Sequence, residues 1–225
     1  MPAREAIFSH EIFRFFQELS RNNRKEWMDA NRGRYQAVVS QPFRRLLEEL
    51  TPFLMRLDRR LEVSGRGNFS RINRDIRFAK DKTPYRPQMY LKVPAVFSGG
   101  ETGELYAGVS AKSVTVGFRI YSGGKRNASA LGLVAGQRIA AQPAWLAQQK
   151  KRLGRKYESY WYSNERGSWT QKNGWPTAAE WPKLQGWIVR KKLAPRALCS
   201  GAFLGEVQKI FRELLPLLRF TSLAD

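Results

Sequence analysis

Histidine and cysteine are nearly missing from this chain of 225 residues, which holds one of each, His10 and Cys199. A single cysteine makes no internal disulfide and no cysteine zinc site, so a reducing compartment, the cytoplasm, is expected. A single histidine is too little for a His-based metal centre. A Ser–His–Asp relay would have to run through that one residue, near the start of a helix where no positioned partner is evident. No metal and no cofactor is therefore expected. Long apolar runs are also absent: nothing approaches the roughly 18 residues of a membrane span. The stretch MPAREAIFSHEIFRFF has neither a long apolar core nor a small-residue cleavage site, so no signal peptide and no membrane partner are expected. There is no GxxxxGK followed by Ser or Thr, and no GxGxxG after a strand. Gly65-Arg66-Gly67 is too short to substitute for either.

Acidic residues are scarce relative to basic ones. Nineteen Asp and Glu face forty Lys and Arg, a net charge of +21, and from Leu105 to Tyr157 ten basic residues occur without one acidic residue. Such a field concentrates anions and speaks to partners rather than to fold. An anionic ligand or nucleic acid is the partner class it suggests, although a solubility requirement would leave the same excess. Apolar residues still make up 42% of the chain, enough for a core.

The pattern along the chain predicts an α+β fold: N-terminal helices, a mainly antiparallel sheet from the middle of the chain, and C-terminal helices packed on it. One domain over residues 1–225 is expected, helical over 8–60, with a motif loop and sheet over 66–122. Helices and a Trp-rich irregular region then fill 126–220. Ser9 caps a first helix bearing Ile12, Phe13, Phe16 and Leu19 at helical spacing. Asn22-Asn23 breaks the chain, and a second helix from about Arg24 carries Trp27 and Tyr35. Ser40 with Pro42 opens a third, striped by Phe43, Leu46, Leu47, Leu50, Leu54 and Leu57, with Pro52 expected to kink or divide it. Leu91–Phe97, Leu105–Ser110 and Ser113–Tyr121 read as strands, the last alternating through Val114, Val116, Phe118 and Ile120, with Ala111-Lys112 as a hairpin step. Gly99-Gly100 and Gly123-Gly124 are turn signals. A helix from about Ser129 to Lys151, interrupted near Pro143, follows. Trp187–Leu193 reads as a short edge strand, and Ser200 caps a closing helix striped from Phe203 to Leu218.

The run from Arg71 to Arg86, RINRDIRFAKDKTPYR, is the most unusual segment, with six basic side chains and two carboxylates. If 71–78 is extended, Arg71, Asn73, Asp75 and Arg77 share one face, and Arg74 lies on the other with Ile72, Ile76 and Phe78. Arg–carboxylate forks on such a strand fix guanidiniums for phosphate or carboxylate. Pro84 drives Thr83 out of helical geometry, so Lys80 to Tyr85 reads as a turn whose free backbone amides could form a phosphate nest. The same residues would equally serve as an ion-pair network that pins a loop to the sheet.

With Asn22-Asn23, Glu26-Trp27 and Tyr35, this run resembles the bacterial and fungal family called domain of unknown function 2461. The pieces that carry the likeness are Arg71-Ile72, the stretch from Arg74 to Phe78, and the stretch from Lys80 to Tyr85. Tyr121, Gly123-Gly124 and Arg138 agree, and the likeness runs from about Phe8 to Phe220. Between Tyr157 and Trp187 the family shows a Lys-Pro-Gly-aromatic step where this chain has Lys172-Asn173-Gly174-Trp175. The resemblance implies a compact single domain and no particular activity.

The leading expectation is a binding protein for a phosphorylated or polyanionic ligand, nucleic acid included. Arg74, Arg77, Lys80 and Lys82 would supply cations, Asn73 and Thr83 hydrogen bonds, and Asp75 and Asp81 the orientation. An enzyme on a phosphate- or carboxylate-bearing small molecule is the alternative, with Asp75, Asp81 and Tyr85 as its catalytic candidates. A structural or interaction module is a third. Two carboxylates amid six cations are mostly neutralised, which argues against Mg²⁺ at Asp75 and Asp81. Trp161, Tyr162, Trp169, Trp175, Trp181 and Trp187, interspersed with Lys and Arg, have the composition of a base-stacking groove, but large aromatics more often fill a core. Arg190, Lys191, Lys192 and Arg196 would track a phosphate backbone or guard a strand edge. Cys199, beside the last helix, invites a lowered thiol pKa, or simply packs at a cap.

Overall fold

A computed structural model of the chain describes residues 5–65, 67–77, 80–95, 103–121, 138, 141–163, 168–177 and 179–221. Phe78, Phe97, Gly99, Gly100, Gly123, Gly124 and Ser129 of the sequence reading lie outside these residues. The fold is α+β, with N-terminal helices, a six-stranded antiparallel sheet and C-terminal helices. The chain forms two compact units, Met1–Val93 with Tyr106–Val116 and Lys192–Lys209, and Pro94–Leu105 with Gly117–Lys191 and Ile210–Asp225.

In the first unit, helix α1 (Glu11–Arg21) buries Ile12, Phe13, Phe15, Phe16 and Leu19 at helical spacing. Each such side chain removed from water contributes about 1.5–3 kcal/mol, so this face anchors the helix. His10 rather than Ser9 takes the cap position; Ser9 stands one residue ahead, its Oγ accepting the Glu11 N–H at 3.3 Å and its carbonyl the Ile12 N–H. Asn22 ends it, giving both its backbone N–H and its Nδ2 to the Glu18 carbonyl. Helix α2 (Lys25–Ala30) is short, and Asn31 leads into α3 (Arg32–Tyr35).

No new helix opens at Ser40. Helix α3 passes through a π turn, Gln36–Ser40, directly into α4 (Gln41–Leu57). Pro42 has no N–H to give the Val38 carbonyl, and the wider turn ahead of it sends the Gln41 N–H to Gln36 instead. Nor does Pro52 divide α4, because the stripe Phe43, Leu46, Leu47, Leu50, Phe53 and Leu54 is buried on both sides of it.

The strands are β1 (Gln88–Pro94), β2 (Glu104–Ser110), β3 (Val114–Tyr121), β4 (Glu158–Ser163), β5 (Ser168–Lys172) and β6 (Leu184–Leu193), in the order β1-β2-β3-β6-β4-β5. The β2–β3 hairpin turns at Ala111-Lys112 as expected, closed by the Ser110 N–H on the Ser113 carbonyl at 2.9 Å. Val114, Val116, Phe118 and Ile120 are each buried.

Two expectations are corrected in the second unit. The Tyr157–Trp187 stretch is not irregular, since it forms β4, β5 and the start of β6. Tyr160, Trp161 and Tyr162 are consecutive rings on both faces of one strand, so no alternation marked them. β6 is not an edge strand either: it lies between β3 and β4. Trp187 on β6 meets Trp175 and Trp181 edge-on, each at 5.0 Å, and Phe118 at 5.8 Å. These indoles fill a core, while Trp161 and Trp169 remain half-buried. The helical stretch is interrupted near Pro143 as expected: Arg138 and Ala141 are helical, Gln142 is not, and helix α5 (Pro143–Leu153) starts after it, with Trp145 stacked on Phe220 at 3.8 Å.

Helix α6 (Pro195–Leu198) precedes α7 (Phe203–Thr221), whose stripe from Phe203 through Val207, Phe211 and Leu214 to Leu218 is buried. Ser200 leads into α7 through its carbonyl, which accepts the Phe203 N–H, while its hydroxyl donates to Ala197 at 2.8 Å. Among the described residues no helix is long and apolar enough to cross a membrane.

Candidate functional site

The Arg71–Arg86 run folds back on itself. Asn73 and Tyr85 form an antiparallel bridge, the Arg74 N–H bonds the Pro84 carbonyl at 2.8 Å, and the Arg86 N–H bonds the Ile72 carbonyl at 2.8 Å. Ile72 and Tyr85 are both buried and anchor the two arms. Lys82 Nζ donates across the loop to the Ile76 carbonyl at 3.1 Å.

Two Arg–Asp pairs hold the loop's side chains, as the charge pattern suggests. Asp75 takes Arg77 in a fork, Nε at 3.0 Å and Nη2 at 2.7 Å. This pair is open to water, with side-chain exposures of 58% for Asp75 and 77% for Arg77, so it is worth little to stability. Asp81 is used more fully. Its Oδ1 accepts the Thr83 N–H at 2.9 Å and its Oδ2 accepts Arg74 Nη1, which also donates to Thr83 Oγ1 at 2.5 Å. The Arg74 guanidinium and the Thr83 amide hold the Asp81 carboxyl at a pKa of about 2. Arg77 and its own amide likewise hold Asp75 below the usual carboxylate range. Both carboxyls are thus ionised throughout the physiological range, as counter-ions rather than proton donors.

Asn23, at the α1–α2 junction, completes the arrangement. Its Nδ2 donates to the Tyr85 carbonyl at 2.8 Å and its Oδ1 accepts the Tyr85 N–H at 2.9 Å. The amides of Thr83 and Tyr85 are therefore both occupied, and neither is available to a phosphate nest.

Around these residues lies an open cleft of about 490 Å³, lined by Ser20, Asn23, Arg74, Asp81, Thr83, Tyr85, Arg86, Pro87 and Gln88. Of the residues singled out from sequence, Arg74, Asp81, Thr83 and Tyr85 come together here. Asn73, Asp75, Arg77, Lys80 and Lys82 do not line the cleft. Ser20, Asn23, Arg86 and Gln88 line it without having been candidates. Arg86 stands at the end of the same motif, and Asn23 read only as a chain breaker. Asp81 and Thr83 both engage Nη1 of Arg74, so among the described residues its Nε and Nη2 have no partner. The Arg86 side chain is exposed and makes no ion pair among the described residues. Two guanidiniums against one carboxylate leave the cleft cationic.

The remaining candidates stay apart. His10 is exposed beside α1, its ring 6.3 Å from that of Phe13. Cys199 closes the carbonyl end of α6, and burial pushes its thiol pKa up rather than down. Among the described residues no group of three or more His, Cys, Asp or Glu is placed to hold a metal ion. No curated protein matches the chain. A family model does match, over residues 11–220, nearly the whole chain and all of the cleft. The chain belongs to the family described as "Conserved hypothetical protein (DUF2461)".

Proposed function

We propose that the protein binds a phosphorylated or carboxylate-bearing ligand in the cleft between the motif hairpin and the α1–α2 junction. The observation that carries this reading is the state of Arg74. Its Nη1 is locked by Asp81 and Thr83, leaving a pre-set guanidinium edge in the cleft that Arg86, which makes no ion pair among the described residues, also lines. Two planar cations at one cleft suit the bidentate recognition of an anion, and fixing one beforehand lowers the entropy lost on binding. Ser20, Thr83 and Gln88 add neutral hydrogen-bonding groups. A volume of about 490 Å³ falls in the range of small-molecule sites, which favours a compact ligand here over a polymer. The depressed pKa of Asp81 favours binding over catalysis with that residue as acid or base. A cytoplasmic setting, inferred from the single cysteine, goes with this reading.

Isothermal titration tests it, with inorganic phosphate and nucleoside mono-, di- and triphosphates as ligands. Arg86→Ala, at an exposed position, is expected to keep the wild-type melting temperature. It should weaken binding about ten- to a hundred-fold, the worth of a charge-assisted hydrogen bond. Wild-type affinity in that variant, or no binding by the wild type, would sink the reading.

A further inference from the structure

A second cluster lies in the other unit, on the β4–β5 hairpin, and shares no residue with the motif cleft. The register pairs Tyr162 with Trp169 and Tyr160 with Gln171, which places these four on one face of the hairpin. Tyr121 of β3 joins them, its ring 5.2 Å from Tyr162 and 5.6 Å from Trp169. Gly186 on β6 makes the close approach possible. A Cβ there would fall 2.5 Å from the Trp169 ring and 2.9 Å from the Tyr121 ring, so only a bare backbone lets both lie over it. Two residues along the strand, the Arg190 guanidinium lies over the Tyr160 ring at 4.0 Å, held by Glu158 at 3.0 Å.

These rings are not core. Tyr121 is 38% exposed and Tyr160, Tyr162 and Trp169 are half-buried, whereas the core of this unit is built on Trp175, Trp181 and Trp187. At the open end of the same hairpin is a cleft of about 300 Å³ to which Arg155, Lys156 and Lys172 contribute. Arg155 and Lys156 are exposed, and the carboxylate that Lys156 meets, Glu213, is at 4.0 Å. Lys172 Nζ lies 5.2 Å over the Trp161 ring rather than on a carboxylate. Gln171 joins the two features, lining the cleft and accepting the Tyr160 hydroxyl at 3.0 Å.

We infer that this face binds single-stranded nucleic acid. Bases stack on the Tyr121, Tyr162 and Trp169 cluster and on the Tyr160–Arg190 plane, and phosphates enter the cleft at the hairpin's open end beside Arg155 and Lys156. The two stacking stations are two strand residues apart, about 7 Å, a step an extended polynucleotide spans with its bases unstacked. Stacking on rings accepts any base but needs its face free, which a duplex does not offer. The charge at the hairpin's open end selects this occupant over an uncharged glycan or an apolar peptide: Arg155 and Lys156 are exposed there, and Glu158, a carboxylate of the same cleft, is engaged by Arg190.

The test is fluorescence anisotropy with a labelled 12-nucleotide oligo(dT), alone and as its duplex, on the full chain across a salt series. The single strand is expected to bind at least about ten-fold more tightly than the duplex at about 0.15 M salt. Tyr162→Ser should weaken it about ten-fold and leave the salt slope unchanged. Arg155→Glu with Lys156→Glu, at exposed positions that should not affect folding, should weaken it further and make the slope shallower by roughly 1.4. Equal affinity for strand and duplex overturns the proposal, as does no binding by the wild type. Should Tyr162→Ser fail to fold, wild-type affinity and slope in the folded Arg155→Glu, Lys156→Glu protein overturn it alone.

Discussion

The side chain of Asn23 gives Tyr85 the two hydrogen bonds that a neighbouring strand would have given, a donor at 2.8 Å and an acceptor at 2.9 Å. Tyr85 is buried, so its backbone groups have little water to fall back on. Asn23→Ala is therefore expected to destabilise the protein by roughly 1–3 kcal/mol, the cost of leaving buried groups unpaired. Urea denaturation reads this as a lower midpoint at unchanged m. Asn23→Asp should do no better than alanine, because it sets a carboxylate oxygen against the Tyr85 carbonyl. A midpoint unchanged in both variants would show that the clamp forms without bearing on stability. The sequence made Asn23 visible as a break between helices, but not as a clamp. Its partner is 62 residues away, and only folding sets the distance. Arg74, Asp81 and Thr83 were legible because they lie within ten residues and their chemistry is complementary over that short span.

At the scale of elements, the amphipathic stripes of α1, α4 and α7 and the alternation of β3 were plain in sequence, since one-sided burial writes its period into the residues. The prolines misled. Pro52 suggests a break, yet α4 continues through it because the buried faces before and after it share one core. Pro52 is exposed, and its ring denies Glu48 a backbone hydrogen bond. Pro52→Ala should thus restore a donor without disturbing packing, raising stability by about 1–3 kcal/mol. Thermal and urea unfolding check it, and a loss of stability would mean that the bend at Pro52 is needed for α4 to fit its neighbours. The strands β4 and β5 were missed for the opposite reason. Rings on both faces erase the period, and it takes the pairing with β6 to decide which ring is buried.

For the molecule as a whole, the net charge of +21 is the dominant long-range term. Surface pairs such as Arg34 with Glu18 at 2.5 Å and Glu11 at 3.3 Å are local exceptions in a field of excess cations. Self-repulsion acts over about 30 Å at 0.01 M salt and about 8 Å at 0.15 M, so salt should relieve it. The melting temperature is expected to rise over that interval, measured by calorimetry in sodium chloride. A fall would mean that the ion pairs outweigh the repulsion.

By itself the sequence determined the composition-borne and local properties: the excess of cations, the lack of histidine and cysteine chemistry, the helical stripes, and a motif of arginines and aspartates close enough to pair. These depend on residue identity and on spacings of a few residues, which the chain carries unfolded. Only the tertiary structure decided which cations reach a common cleft, that Arg77 faces water while Arg86 lines it, and that three tryptophans are core while Trp169 lies half-exposed beside Tyr121. Each of those outcomes depends on contacts made outside the local run of the chain, as with Asn23 and Tyr85 or Tyr121 and Trp169. The physical reason is the same throughout: burial and proximity are set by strand order and loop closure, and no local pattern encodes them.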